Sequence, residues 1–214
     1  GRLVRTLDTV WTIGFGTVGE AEAMREKMVK LHQKMQVEYE DEGGKKWNEG
    51  GMTPKLQYWV LATLIQNSVE GFETLHGPLS EKEKTEFLRE MHRFGTYFGL
   101  REDFGPTDWP GFERYYREML ESGILGSDPV SREIAQQVAS PFRPHWLRWL
   151  MKPWRFLFSE LLPSPLQERL GFPSTPWRRG QMKLLRWVLP GLVRMCPPLL
   201  RYPKPYRRAM RRLR

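Results

Sequence analysis

The chain has a single cysteine in 214 residues. That excludes an internal disulfide framework and any cysteine-rich zinc or iron–sulfur site. No uncharged apolar run reaches the about 18 residues that a conventional spanning helix needs. There is no initiator Met and no signal-peptide pattern before Gly1-Arg2-Leu3, so the sequence reads as a processed product or a fragment of something longer. The four histidines, His32, His76, His92 and His145, have no metal-ligand spacing. P-loop, HExxH and nucleophile-elbow motifs are missing. Gly14, Gly16 and Gly19 imitate a dinucleotide loop, but the spacing is wrong and a helical pattern precedes them. No segment alternates for long enough to predict a strand.

What is present is a folded composition, 40% apolar and 28% charged, with nine Trp, seven Tyr and eleven Phe. Its charge is unevenly placed. Residues 141–214 hold 17 Lys/Arg against Glu160 and Glu168, a net of +15, whereas residues 1–140 are net −6. The same C-terminal stretch carries five of the nine Trp and 12 of the 17 Pro. The division is therefore an acidic helical body, 1–140, and a basic Trp- and Pro-rich extension, 141–214. The extension calls for an anionic or apolar partner surface.

Apolar spacing predicts helices over 2–13, ended by Gly14 and Gly16, and over 20–38, with a stripe of Met24, Met28, Leu31 and Met35. Residues 39–52 read as a polar loop. Thr53-Pro54 opens a nearly apolar helix to about Leu75, expected to be the most buried of the body. Further helices follow from Ser80 to near Gly99, from Asp108 to about Ser122 and from Pro129 to Ser140. Beyond Pro141, Pro153 should kink or divide the aromatic run. A short LQERLG helix, a helix from Trp177 to about Leu189 and a tail helical from Tyr206 complete the chain. The fold class is all-α, a bundle-like body with basic amphipathic C-terminal helices.

His32 borders the apolar stripe, one position beyond Leu31 and four beyond Met28. An inward imidazole on a long helix can serve as an axial haem ligand, or can be a half-buried histidine with a backbone or water partner. Arg2, Arg5 and Thr6 share one helix face at i, i+3 and i+4. Paired arginines on one face can hold carboxylates such as haem propionates, or simply pair with Glu side chains.

The run Arg2-Leu-Val-Arg5-Thr6, then a Gly-containing loop and a helix with His32, resembles a family formerly known only as a domain of unknown function. It includes rubber oxygenase (latex-clearing protein) and the fungal membrane-bound oxygenase of mycophenolic acid biosynthesis. Trp59-Val60, Ala62-Thr63-Leu64, Gly77-Pro78-Leu79-Ser80, Arg132-Glu133-Ile134-Ala135, the stretch from Leu162 to Pro173 and Pro205-Tyr206-Arg207-Arg208-Ala209 follow in the family's order. The resemblance implies an all-helical domain holding haem b, with His32 at the position of the proximal iron ligand. Arg2, Arg5 and Thr6 match polar residues near the distal side. It implies oxygen-dependent cleavage of an isoprenoid carbon–carbon double bond. Two positions depart from the pattern: Leu61 replaces a common His, and Gln66 an acidic residue. Family helices upstream of Arg2 are not in this sequence: either they lie on another segment or the chain is no longer a complete pocket.

Three readings follow. The first is a haem b-dependent oxygenase acting with dioxygen on a hydrophobic, isoprenoid or lipid-like substrate, with His32 binding iron and Arg2, Arg5 and Thr6 in catalytic roles. The alternative is a non-catalytic member serving as a structural or accessory subunit of a larger, membrane-associated complex. Nucleic-acid binding through the basic region is disfavoured, because no such motif is present. Residues 141–214 are expected either to pack on the helical body, with their Arg residues solvating its outer face, or to lie at an anionic membrane surface or on a protein partner, as a peripheral association without a spanning helix. Trp146, Trp149, Trp154, Phe156 and Phe158, and then Trp177, Leu184, Leu185, Trp187 and Val188, supply the apolar contact.

Overall fold

Local hydrogen bonding explains where the first helices start and stop. The computed structural model describes residues 2–34, 36–40, 46–50, 53–123, 125, 129–140 and 152–213. Helix α1 runs Arg2–Phe15 and α2 Val18–Gln33. Gly14 lies inside α1, and the chain turns at Gly16 and Thr17. Thr17 then caps α2: the Glu20 N–H donates to Thr17 Oγ1 at 3.3 Å, and Thr17 N–H donates to the Glu20 carboxylate at 2.7 Å. The Thr17 N–H, together with the Thr17 hydroxyl that donates to the same carboxylate at 2.9 Å, holds the Glu20 carboxyl below its ordinary range. Helix α2 stops at Gln33 rather than at 38, and where the end of that helix and a 39–52 loop are expected the backbone forms a two-stranded pair, β1 Gln36–Glu40 and β2 Lys46–Gly50. The architecture is otherwise all-α.

Helix α3, Pro54–His76, has Pro at its first turn. Its buried stripe is Gln57, Tyr58, Leu61, Ala62, Ile65 and Val69. Its burial is one-sided, however: Val60, Leu64 and Phe72 are exposed. Helix α4, Glu81–Thr96, starts at a second capping box between Ser80 and Glu83. The α3–α4 connection is closed by Glu73, which accepts from Leu79 N–H at 3.0 Å and pairs with Lys84 at 2.8 Å. The Lys84 hydrogen bond, opposed in part by burial, lowers the Glu73 carboxyl's pKa. Helix α5 runs Trp109–Glu121, α6 Pro129–Ala139, α7 Lys152–Leu161 and α8 Ser164–Arg169. Helix α9 runs Pro176–Met195 and contains Pro190, so that proline does not end it. Helices α10, Pro198–Arg201, and α11, Lys204–Arg212, finish the chain.

By contacts the chain forms two compact units. The first comprises Gly1–Glu38, Asn48–Phe112 and Leu189–Arg214; the second comprises Tyr39–Trp47 and Glu113–Val188. The change in composition lies at Pro141, whereas the contact divisions fall within β1, β2, α5 and α9.

In the first unit, α3 and α4 pack together around Tyr58, Leu61, Ile65 and Leu88. Gly95 lets them approach: a Cβ there would lie 2.9 Å from Leu61 Cδ2. Helix α1 packs on α2 and α11. Arg212 donates to the Phe15 carbonyl at the C-terminal end of α1 and pairs with Glu20 at 3.7 Å, and Phe15 and Tyr206 meet edge to face.

In the second unit, Ala135, Ala139 and Phe172 form a core that Phe158, Leu162 and Leu170 extend. Trp154 Nε1–H donates to the Val138 carbonyl at 3.1 Å. Part of the aromatic run thus packs on α6; Trp146 and Trp149 lie outside the described residues. A polar knot joins α7 to α9. Arg178 Nε lies 2.9 Å from Glu160 Oε1, Arg178 Nη2 donates to Ser159 Oγ at 2.5 Å, and Ser174 Oγ donates to Glu160 Oε2 at 2.7 Å. Gln167 Nε2 donates to the Ser159 and Leu162 carbonyls, each at 3.0 Å.

Candidate functional site

The tight turn at Gly16 and Thr17, together with the packing of α1 on α2, makes the two helices an antiparallel hairpin. This topology brings the N-terminal end of α1, with Arg2, Arg5 and Thr6, to the same end of the hairpin as His32 in the last turn of α2. Arg5 and Thr6 are exposed; the Arg2 backbone belongs to α1, and its side chain lies outside the described residues. On the way into the hairpin, Thr9 is buried and its hydroxyl donates to the Arg5 carbonyl at 2.9 Å.

His32 is half-buried, while Leu31, an inward member of the expected stripe, is 49% exposed. The last turn of α2 thus offers the imidazole rather than the leucine to the interior. His32 Nδ1 is buried and has no hydrogen-bond partner. Leaving a buried polar atom unpaired costs on the order of 1–3 kcal/mol. Such an unspent ring nitrogen is an observation that fits an added group at this histidine. No cluster of three or more His, Cys, Asp or Glu suited to a bare metal ion occurs among the described residues.

Leu61 and Gln66, the two positions expected to depart from the pattern, have distinct surroundings. Leu61 is buried against Gly95. Gln66 is half-buried and donates through Nε2 to Glu70 Oε1 at 2.8 Å. Of the other histidines, His76 is exposed and lies against Phe72, ring centroids 4.7 Å apart. His145 lies outside the described residues.

Sequence reasoning gave little weight to His92, which is buried beside Tyr58 with Oη and Nε2 3.3 Å apart. The Tyr58 ring also meets Phe104 edge to face at 5.6 Å. Gly105, at φ 106, lies where any Cβ would strike that ring. Burial pushes the His92 pKa down, against the opposing pull of the Glu102 backbone carbonyl and carboxylate. The available signal was the spacing of Leu88, His92 and Gly95, which share one face of α4.

A sequence profile described as "ER-bound oxygenase mpaB/B'/Rubber oxygenase, catalytic domain" matches residues 1–193. The chain belongs to this oxygenase catalytic-domain family. Among its relatives are two uncharacterized proteins, one of Mycobacterium bovis and one of Mycobacterium tuberculosis. Each is 27% identical over 136 residues, covering 64% of this chain and 52% of the relative. The chain thus spans about half the length of the curated relatives it matches. No solved structure matches it. Within the oxygenase family, the hairpin end carrying His32, Arg5 and Thr6 is the candidate site of this chain.

Proposed function

We propose that the chain forms the haem-holding part of an oxygenase and that His32 is the axial ligand. The observation that carries this reading is the buried, unpartnered ring nitrogen of His32, in a chain of the oxygenase family. One histidine suffices for such a group, because a porphyrin brings its own equatorial nitrogens. When bound, haem b supplies a redox-active iron that activates dioxygen for cleavage of a carbon–carbon double bond in a hydrophobic, isoprenoid or lipid-like substrate.

The protein's own contribution is binding and orientation. His32, half-buried in the last turn of α2, would hold the group, and the packing of α1 on α2 would fix the orientation of that histidine. Arg2 and Arg5 offer guanidinium groups that can pair with the cofactor's carboxylates or steady a developing negative charge. Thr6, exposed on the same helix face, adds a polar side chain to that end of the hairpin.

The test is reconstitution of the purified chain with haem b. A Soret band should form with wild type and with His76→Ala, whose histidine is exposed, and should be lost or strongly altered with His32→Ala. An unchanged spectrum for His32→Ala would overturn the ligand assignment.

A second reading draws on Leu61. A buried leucine stands where the family pattern commonly carries a histidine, which favours a non-catalytic member acting as an accessory subunit. Failure of the wild-type chain to take up haem would favour that reading.

A further inference from the structure

Helix α9 is oriented against its hydropathy. Arg178 is turned inward onto Glu160 and Ser159, and Met182, one turn on, is buried. Trp177, Leu184 and Trp187 are turned outward and are 72%, 61% and 80% exposed. At 100° per residue these three, with Val188, lie along one outer stripe. Arg179, Lys183 and Arg186, spaced four and three apart, form an exposed row beside that stripe. The polar knot at Arg178 holds this rotation, because rolling the helix to bury its tryptophans would tear the guanidinium from a buried carboxylate.

We propose that the outer face of α9, Trp177, Leu184 and Trp187 flanked by Arg179, Lys183 and Arg186, is a docking surface for an anionic lipid bilayer. Two exposed indoles on one face are costly in water and suit the headgroup boundary, where an apolar ring sits beside polar groups. The cationic row selects the sign of the partner. Residues 141–214 contain only two carboxylates, and Glu160 is consumed by Arg178, so little negative charge opposes that row.

Other exposed apolar stripes do not select an occupant in this way. The one on α6, Val130, Ile134 and Val138, has no comparable row of cations, and α3 carries Glu70 and Glu73. No helix among the described residues is long and apolar enough to cross a membrane. A helix of this kind lies in the interface plane, with its apolar side in the lipid. Docking requires nothing of His32.

The experiment is vesicle flotation of the full chain with phosphatidylcholine alone and with phosphatidylcholine containing phosphatidylserine. Two variant pairs are compared with wild type: Trp177→Ser with Trp187→Ser, and Lys183→Gln with Arg186→Gln. All four side chains are exposed, so circular dichroism should show both pairs folded. Wild type should float with the anionic vesicles far better than with the neutral ones. Each lost cation should lower partitioning about fivefold before screening by salt. The serine pair should lower it about tenfold or more, even at low salt. His32→Ala should bind vesicles like wild type, which separates this result from the haem reading.

Absence of binding at either composition would overturn the proposal, as would binding that both pairs leave unchanged. Concentration-dependent self-association that the serine pair abolishes, without vesicle binding, would assign the face to a second copy instead.

Discussion

Glu160→Ala tests whether a charge pair sets the rotation of α9. The Glu160 side chain is 3% exposed and that of Arg178 29%, with 2.9 Å between Oε1 and Nε. Removing the carboxylate strands a guanidinium that is mostly desolvated. Breaking a buried pair from one side costs about 3–5 kcal/mol. The exposed part of Arg178 lets water reach it, which places the expectation near the lower end, about 3 kcal/mol. Ser174 Oγ also loses its acceptor, a further effect of at most about 1 kcal/mol. In a unit of about 60–100 residues, each kcal/mol moves Tm by about 4–8 °C, so the second unit should melt about 12 °C or more below wild type. Urea unfolding followed by circular dichroism, with a thermal scan beside it, measures both quantities. Glu160→Leu combined with Arg178→Met should recover most of the loss, because an apolar pair of similar volume avoids the desolvation penalty. A Glu160→Ala variant within about 0.5 kcal/mol of wild type would refute the reasoning. So would a double variant no better than the single one.

Stability should also fall with acid through His92. Burial keeps its pKa below the ordinary 6.5, so below that pH the unfolded chain takes up a proton that the folded chain refuses. The contribution is complete about one pH unit above 6.5 and is lost as pH falls through that value, so the urea midpoint should drop between about pH 7.5 and about pH 5. The lowered carboxyls Glu20, Glu73 and Glu83 act below their ordinary 4.5, outside that window. His92→Gln should flatten the drop, and an equal slope in the variant would remove His92 as its cause. At the α3–α4 contact, Gly95→Ala gains up to about 1 kcal/mol of helix propensity but forces a Cβ to 2.9 Å from Leu61 Cδ2. Overpacking of about 1–3 kcal/mol should outweigh the gain, with partial recovery in Gly95→Ala/Leu61→Val. A more stable Gly95→Ala variant would show that Leu61 is free to move aside.

Interactions spanning four residues or fewer were legible along the chain. Helix periodicity, Pro54 at a first turn and the prolines near the end located most helices within a few positions, because those signals depend on neighbours in sequence. The order of short motifs across the chain carried its family. Local pattern also misplaced some features. Gly14 was expected to end α1, yet nothing lies within 4 Å of where its Cβ would be, and the helix continues to Phe15. The polar stretch after α2 pairs as β1 and β2, where no long apolar alternation announces strands.

Tertiary structure decided which side of each helix is covered. Leu31 and His32 are adjacent, and only the packing of α1 on α2 settles that the histidine turns inward. Leu88 and His92 share a face of α4, but Tyr58, 34 residues away from His92, makes that face polar. Trp177 and Arg178 are the sharpest case. Hydropathy places the indole inside and the guanidinium outside. The reverse holds because Glu160, one of two carboxylates in the basic region, is buried on α7 and must be neutralised there. Desolvating an unpaired carboxylate costs more than leaving an indole in water. That comparison requires a partner 18 residues distant in the chain, and folding alone brings it into contact.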